Sequence, residues 1–187
     1  MFKELHNIIV LGKIAPASVG QISTSEWNGG YYPAELAIDG DLETVSETKG
    51  EWGTDLWFKM KFDDFFCFFE VVIIQKHLNG NAYRMKGAKV LVVNTETGVE
   101  NLCGVLKVNP VWTIEGQTYR FPCHLKCGDE VKVTVLHKRG NYDNVATIHM
   151  KEITVFGTGM SWILVFIESC VLLLVNKVCI ACRNIFK

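Results

Sequence analysis

The sequence predicts an all-β domain, a sandwich or jelly roll, followed by a short apolar tail. Apolar stretches in residues 1–157 are short and are separated by Gly, Asn and Asp. No part of this region maintains a helical period of apolar residues. The last 30 residues contain three of the 19 Lys and Arg residues but only one of the 20 Asp and Glu residues. We therefore expect a β domain over residues 1–157 and a separate apolar, basic segment over residues 158–187.

Five segments are the clearest strand candidates. The alternation of Val131, Val133 and Val135 with polar residues predicts a strand with one buried face. Segments rich in Gly, Asn and Asp fall between the candidates and predict turns, among them Cys127-Gly128-Asp129. Many short strands joined by turns are typical of sandwiches and jelly rolls. The candidates are residues 57–62, 68–75, 89–94, 130–136 and 148–156.

Charge and motif content argue against two classes of function. The formal net charge is −1, and no Lys/Arg cluster occurs along the chain. Nucleic-acid binding requires a basic surface, so we predict no nucleic-acid partner. The five His residues are scattered, and the chain has no nucleophile-elbow, zinc-protease or P-loop motif. We therefore expect a binding domain and not an enzyme.

The apolar tail contains a candidate membrane span at residues 162–182. Ten Ile, Leu, Val or Phe residues lie between Trp162 and Val175. They favour insertion by about 4.5 kcal/mol, against a cost of roughly 2.5–3.5 kcal/mol for Glu168. Extension to Cys182 reaches the ~20 residues that a span needs, and the basic residues that follow would place the β domain outside the cell. The alternative is an apolar tail that packs on another surface.

The first residues do not form a signal peptide. Met1-Phe2-Lys3-Glu4 is charged, and the apolar run 8–11 is about half as long as a signal peptide requires. This predicts either a cytosolic protein or a chain whose natural N-terminus lies further upstream.

The segment Ala34–Thr44 carries the most specific resemblance to a known family. Its A-I-D-G-D-L-E-T part resembles the A-I-D-G-N/D-x-x-[ST] motif of discoidin-like, galactose-binding-type jelly rolls. Within that superfamily the chain is most similar to the F-type (fucolectin) lectin domain. Other family motifs follow in the same order, at residues 11–15, 55–60, 84–90 and 151–157. The resemblance covers about residues 8–157 and implies a galactose-binding-like jelly-roll β-sandwich.

The resemblance implies a calcium site, because the family's Asp-Gly turn, a downstream Ser/Thr and a Glu on the last strand enclose one calcium ion. Calcium takes six to eight oxygen ligands. The alternative interpretation is that Asp39-Gly40 is an ordinary turn and that Glu152 faces solvent. The implied ligands are the side chains of Asp39 and Glu152, the carbonyls of Leu36, Asp41 and Lys151, and a hydroxyl from Ser46 or Thr48.

The resemblance also implies a sugar site, in which one His and two Arg side chains bind fucose beside a vicinal disulfide. Arg84 matches the second Arg, and His77 stands at the position of the first. The family's His has no counterpart near residues 49–53, and Asn79-Gly80-Asn81 replaces the vicinal cysteines. We expect a fucosylated or related glycan as the partner. The alternatives are an adhesion or receptor ectodomain that has lost sugar binding and contacts a cell-surface protein, and an accessory module of an enzyme.

Four of the seven cysteines lie in the β domain. Cys103 and Cys123 match the family's strand-linking disulfide. Cys67 and Cys127 could form a second bond, which the family pattern does not support, or remain buried free thiols. A disulfide indicates an oxidising compartment, so we expect an extracellular or cell-surface domain. This expectation favours an N-terminus that lies further upstream.

Overall fold

The computed structural model describes residues 12–22, 25–27, 30–49, 54–75, 85–107, 117–136 and 147–159. These residues form β-strands and one short 3-10 helix, Ala34–Ala37, which confirms the predicted all-β class. All five predicted strand segments lie within observed strands. The strands in chain order are β1 Gly12–Lys13, β2 Ser18–Gln21, β3 Ser25–Trp27, β4 Gly30–Tyr32, β5 Ser46–Lys49, β6 Asp55–Gln75, β7 Lys89–Asn94, β8 Val99–Val105, β9 Thr118–Leu136 and β10 Thr147–Gly159.

Within the described residues, eight strands form one antiparallel sheet that folds into two layers. The order is β1-β10-β6-β9-β7-β8, with β2 also paired to β6 and β5 to β10, while β3 and β4 form a separate pair. The first part of β6, residues 55–61, pairs with β2 and with the last part of β9. Its second part, residues 66–75, pairs with β10 and with the first part of β9. The two long strands therefore belong to both layers.

Each long strand changes layer at an irregular point. The register of β6 shifts between Lys61 and Phe66. In β9 the corresponding change lies between Gly128, which pairs with Phe66, and Glu130, which pairs with Lys61.

A second irregularity of β9 lies at His124 and Leu125, whose φ angles are 50° and 61°. Left-handed backbone costs about 1–2 kcal/mol for a non-Gly residue, so the surroundings must hold it in place. Two disulfides flank this segment and restrain it: Cys123, directly before it, is bonded to Cys103, and Cys127, two residues after it, is bonded to Cys67.

The core lies between the two layers and follows the alternation of the strands. In β6, the buried Leu56, Phe58 and Met60 alternate with the half-buried Trp57 and Lys59. This period of two places every second side chain in the core. The predicted inward residues of β9 are buried as well, and side chains from β10 and from the second half of β6 complete the core. They include Val131, Val133, Val135, Val71, Ile73, Ile148, Met150, Ile153 and Val155.

The sandwich has two ends, which we name by residues of β6. At the Gln75 end, the end of β6 lies beside the starts of β9 and β10 and the end of β5. Ile74 pairs with Thr118, and Thr147 pairs with Lys49. At the Phe66 end, Phe66 pairs with both Gly128 and Gly159. Strand β10 thus runs from one end to the other, and the chain leaves it at the Phe66 end.

In the part of the chain that the structure describes, no helix is long and apolar enough to cross a membrane. The candidate span at residues 162–182 lies outside the described residues.

Candidate functional site

The loop that carries the Asp-Gly-Asp turn is fixed to the domain at its start. Ala34 and Ala37 of the 3-10 helix are buried and belong to the core. Leu36 N–H donates to Pro33 O at 3.3 Å, and Ile38 N–H donates to Glu35 O at 3.1 Å. Gly40 follows with a φ of 78°, a left-handed value that favours glycine. The chain therefore turns sharply between the carboxylates of Asp39 and Asp41.

Three of the predicted calcium ligands surround one hydroxyl group. Thr44 Oγ1 lies 2.8 Å from Asp39 Oδ2, 2.9 Å from Asp41 O and 3.3 Å from Leu36 O. A hydroxyl has a single proton and donates it to one acceptor at a time. Several oxygens thus face one another with a single shared proton, which is an arrangement that suits a hard cation.

Glu152 joins this loop from the last strand. A bulge in β10 between Met150 and Glu152 shifts the register at Lys151. Bulges reorient side chains, and Glu152 is buried although Ile153 after it faces the core. Glu152 Oε2 accepts a hydrogen bond from Gly40 N–H at 3.2 Å, and Oε1 lies 3.5 Å from the Lys13 ammonium. The glutamate is therefore a buried contact of the loop and does not face solvent.

The two predicted hydroxyl ligands lie on β5 in other surroundings. Ser46 Oγ lies 3.1 Å from the side-chain oxygen of Gln21. Thr48 Oγ1 is buried and has no hydrogen-bond partner among the described residues. The hydroxyl that faces Asp39, Asp41 and Leu36 belongs to Thr44, which the sequence interpretation did not select. Its signal was present, because Thr44 occupies the [ST] position of the family motif.

The groups around Thr44 that could bind a metal ion are oxygens, and few of them belong to titratable side chains. In the described part of the chain, no group of three or more His, Cys, Asp or Glu side chains could hold a metal ion. The oxygens near Thr44 come from one carboxylate and two backbone carbonyls, and Glu152 approaches beside them. Such a mixture of carbonyl, hydroxyl and carboxylate oxygens fits calcium and does not fit zinc.

The predicted sugar-binding residues His77 and Arg84 lie outside the described residues. The described chain ends β6 at Gln75 and resumes at Met85, and both of these residues are buried.

A buried polar group lies at the Gln75 end. The side-chain nitrogen of Gln75 is 3.2 Å from His149 Nε2, and Thr147 Oγ1 is 3.1 Å from His149 Nδ1. All three residues are buried. This group could not be predicted from the sequence, because Gln75 and His149 are 74 positions apart and meet only through the pairing of β6 with β10.

Solved structures of several sugar-binding proteins are similar to this chain. The fucolectin from striped bass (Morone saxatilis) serum matches 79% of this chain and 50% of its own length, at 20% identity and a TM-score of 0.58. A fucose binding module from Streptococcus pneumoniae matches 83% of this chain and 99% of its own length, at 17% identity and a TM-score of 0.59. The family 32 CBM from Clostridium perfringens NanJ, in complex with galactose, matches 74% of this chain and 92% of its own length, at 18% identity and a TM-score of 0.56.

This chain has the galactose-binding-like fold. The fold that the sequence predicted is thereby confirmed, and at these identities the likeness concerns the fold alone. The chain spans about half the length of the striped bass protein. No model of a known protein family matches the sequence, and no curated protein sequence matches it.

Proposed function

We propose that this chain is a calcium-stabilised carbohydrate-binding domain of an extracellular or cell-surface protein. The observation that carries the proposal is the fixed loop Ala34–Thr44, whose oxygens converge at Thr44 and which contacts Glu152 from the last strand. The named ligands of similar structures support it, since these structures include a fucose binding module and a galactose complex.

Calcium would be held by the side chains of Asp39 and Glu152, the carbonyls of Leu36 and Asp41, and the hydroxyl of Thr44. The carbonyl of Lys151 at the bulge is a further candidate ligand. The bound ion would neutralise the oxygens that face one another in this loop. The loop residues themselves would keep the turn in place, because Asp39 Oδ1 accepts from Asp41 N–H at 2.9 Å and Asp41 Oδ1 accepts from Glu43 N–H at 2.9 Å.

The glycan would bind through His77 and Arg84, which lie in the sequence between Gln75 and Met85. Both residue types can donate hydrogen bonds to sugar hydroxyls. The buried contact between Gln75 and His149 holds the end of β6, directly before this stretch of the sequence. A rigid base of this kind reduces the ordering cost of ligand binding.

Extracellular placement is supported by the two disulfides, which persist in oxidising compartments. We further propose that the apolar tail attaches the domain to a membrane. Gly159 lies at the Phe66 end, opposite the Gln75 end. The proposed anchor, residues 162–182, follows Gly159 along the chain.

A glycan array tests the carbohydrate proposal. We expect the oxidised protein, in calcium, to bind fucosylated or galactose-containing glycans, and the Arg84→Ala variant to lose this signal. Arg120→Ala is the matched control, because Arg120 pairs with Glu70 at 2.7 Å and is largely exposed on β9. The control should bind as the wild type does. A blank array for the folded wild-type protein would contradict the proposal and favour the alternative of a protein-contacting ectodomain, since only one of the three basic family positions is retained.

Thermal unfolding with calcium and with a chelator tests the metal. A ligand at 100 times its Kd stabilises the folded state by about 2.7 kcal/mol. For a domain of this size, we expect the midpoint to fall by roughly 5–10 °C when calcium is chelated. An unchanged midpoint would contradict the calcium part of the proposal and leave the fold intact.

A further inference from the structure

We propose that Lys13 is an internal cation that competes with calcium for Glu152 and holds the loop when calcium is absent. This inference rests on the proposed calcium site. It concerns regulation of that site by Lys13, a residue of β1 that is not among the predicted ligands.

The contacts of Glu152 carry the inference. The Lys13 ammonium lies 3.5 Å from Glu152 Oε1, while Oε2 accepts from Gly40 N–H at 3.2 Å. The glutamate side chain is only 8% exposed, so its charge requires compensation. Among the described residues, Lys13 is the cation paired with Glu152. The lysine thus supplies positive charge at the carboxylate that the calcium proposal needs.

The Lys13 ammonium and a calcium ion cannot both occupy the surroundings of Glu152, because their positive charges repel. A calcium ion binds carboxylate oxygens at about 2.3–2.6 Å. An ammonium that remained at its present distance from Oε1 would lie within a few ångströms of that ion, and two positive charges repel strongly at such a separation. Calcium binding therefore requires the Lys13 side chain to move away from Glu152.

The structure allows this movement at low cost. The backbone of β1 is held independently of the ion pair, since Gly12 pairs with Gly157, Lys13 pairs with Phe156, and Ile14 N–H donates to Val155 O at 2.9 Å. The Lys13 side chain is 57% exposed and reaches water by rotating about its own bonds. The strand remains in place, and only the ammonium exchanges its partner.

The expected consequence is a domain that keeps part of its loop structure without calcium. Lys13 reduces the repulsion between loop oxygens and Glu152 in the absence of the metal. It also lowers the apparent calcium affinity, because each binding event must displace it. Partly exposed ion pairs are weak, so we expect this effect to be a factor of about three to five in Kd.

Calorimetric titration with calcium chloride tests the competition. The Lys13→Gln variant should bind calcium roughly three- to fivefold more tightly than the wild type. Lys13→Arg keeps the charge and should keep the wild-type Kd. Lys89→Gln changes an exposed lysine of β7 and should also leave the Kd unchanged. Glu152→Gln should bind much more weakly than any of these.

Thermal unfolding separates competition from a merely structural role. In chelator, Lys13→Gln should unfold at a lower temperature than the wild type, because Glu152 loses its cation. In saturating calcium the two midpoints should coincide. Equal destabilisation in both conditions would overturn the inference and indicate a structural ion pair.

The outcomes also distinguish this inference from the calcium proposal. If the wild type and Lys13→Gln bind calcium with equal Kd, the competition is wrong and the calcium site stands. If neither protein binds calcium, while both remain folded, the calcium proposal fails and the competition fails with it.

Discussion

The hydroxyl of Thr44 lies 2.8 Å from Oδ2 of Asp39, and no other described hydroxyl approaches this carboxylate within hydrogen-bond distance. Thr44, at the end of the loop that contains the Asp-Gly-Asp turn, therefore supplies the hydroxyl group that faces the predicted calcium ligands. The contact also separates Thr44 from Thr48, which lies on β5 and pairs with Ile148. The two threonines therefore give opposite expectations for the same substitution.

Replacing Thr44 with Val should lower the free energy of unfolding by about 1 kcal/mol in chelator, because the variant loses hydrogen bonds of the loop. It should also reduce the stabilisation that calcium gives. The measurement is denaturant unfolding with and without calcium.

Thr48→Val is the matched control. The Thr48 hydroxyl is buried without a hydrogen-bond partner among the described residues, so a methyl group in its place should raise the free energy of unfolding by about 1 kcal/mol. Its calcium response should stay unchanged. A lost response in Thr48→Val, with a retained one in Thr44→Val, would return the ligand role to Thr48.

Gly128 allows the close approach of β9 to β7. A Cβ atom added at Gly128 would overlap with the backbone carbonyl of Val93, which cannot move aside as a side chain can. We expect Gly128→Ala to lower the free energy of unfolding by more than about 3 kcal/mol, or to prevent folding. Gly12→Ala, where no atom lies within 4 Å of the added Cβ, should unfold like the wild type. Similar stabilities of the two variants by urea titration would contradict the register of β9 against β7.

The two disulfides should contribute unequally to stability. Cys103–Cys123 closes a separation of 20 residues and Cys67–Cys127 one of 60 residues. Chain-entropy arguments give about 3 kcal/mol for the first and about 4 kcal/mol for the second. Paired Cys→Ser variants, compared by denaturant unfolding under non-reducing conditions, measure both values. A larger loss from the shorter loop would contradict the entropic account.

Asp129 should make stability sensitive to acid. Burial raises the pKa of its carboxyl, but hydrogen bonds from the side chain and backbone N–H of Thr95 outweigh this, so the pKa lies below its ordinary value. A carboxyl with a lowered folded pKa stabilises the fold above its unfolded pKa of about 3.9 and loses that contribution as the pH falls through the folded pKa. Urea unfolding should therefore show stability declining below about pH 4.

Thr95→Ala should reduce this acid sensitivity, because the variant lacks the side-chain donor. Thr97→Ala is the control from the same turn, where Thr97 Oγ1 accepts from Val99 N–H and leaves Asp129 unaffected. If Thr95→Ala and the wild type lose stability equally between pH 5 and pH 3, the Thr95–Asp129 contact does not set the pKa.

The strands could be predicted from the sequence because burial and alternation are local properties. Val131, Val133 and Val135 face the core as their spacing predicted. The segment Cys127-Gly128-Asp129 was predicted as a turn, and this prediction was wrong, since β9 continues through it. Left-handed backbone occurs slightly earlier in β9, at His124 and Leu125, and leucine rarely adopts it. The disulfides on both sides hold a conformation that local preference would not select.

The candidate site could be predicted only in part. The motif located Asp39 and Asp41, and the resemblance located Glu152 on the last strand. Lys13 could not be found in this way. It is 139 positions from Glu152, and the two residues meet only because β1 pairs with β10. Side chains that meet through sheet order leave no spacing signal in the sequence.

The course of β10 has a mechanical consequence. Its ladder with β6 extends from Met150 opposite Gln75 to Gly159 opposite Phe66. Tension applied between the Gln75 end and Gly159 would act along the strands. The ladder's hydrogen bonds would then be loaded in shear and share the force, whereas bonds in a peeled hairpin break one after another. A domain built in this way should resist a steady pull along β10 and yield abruptly.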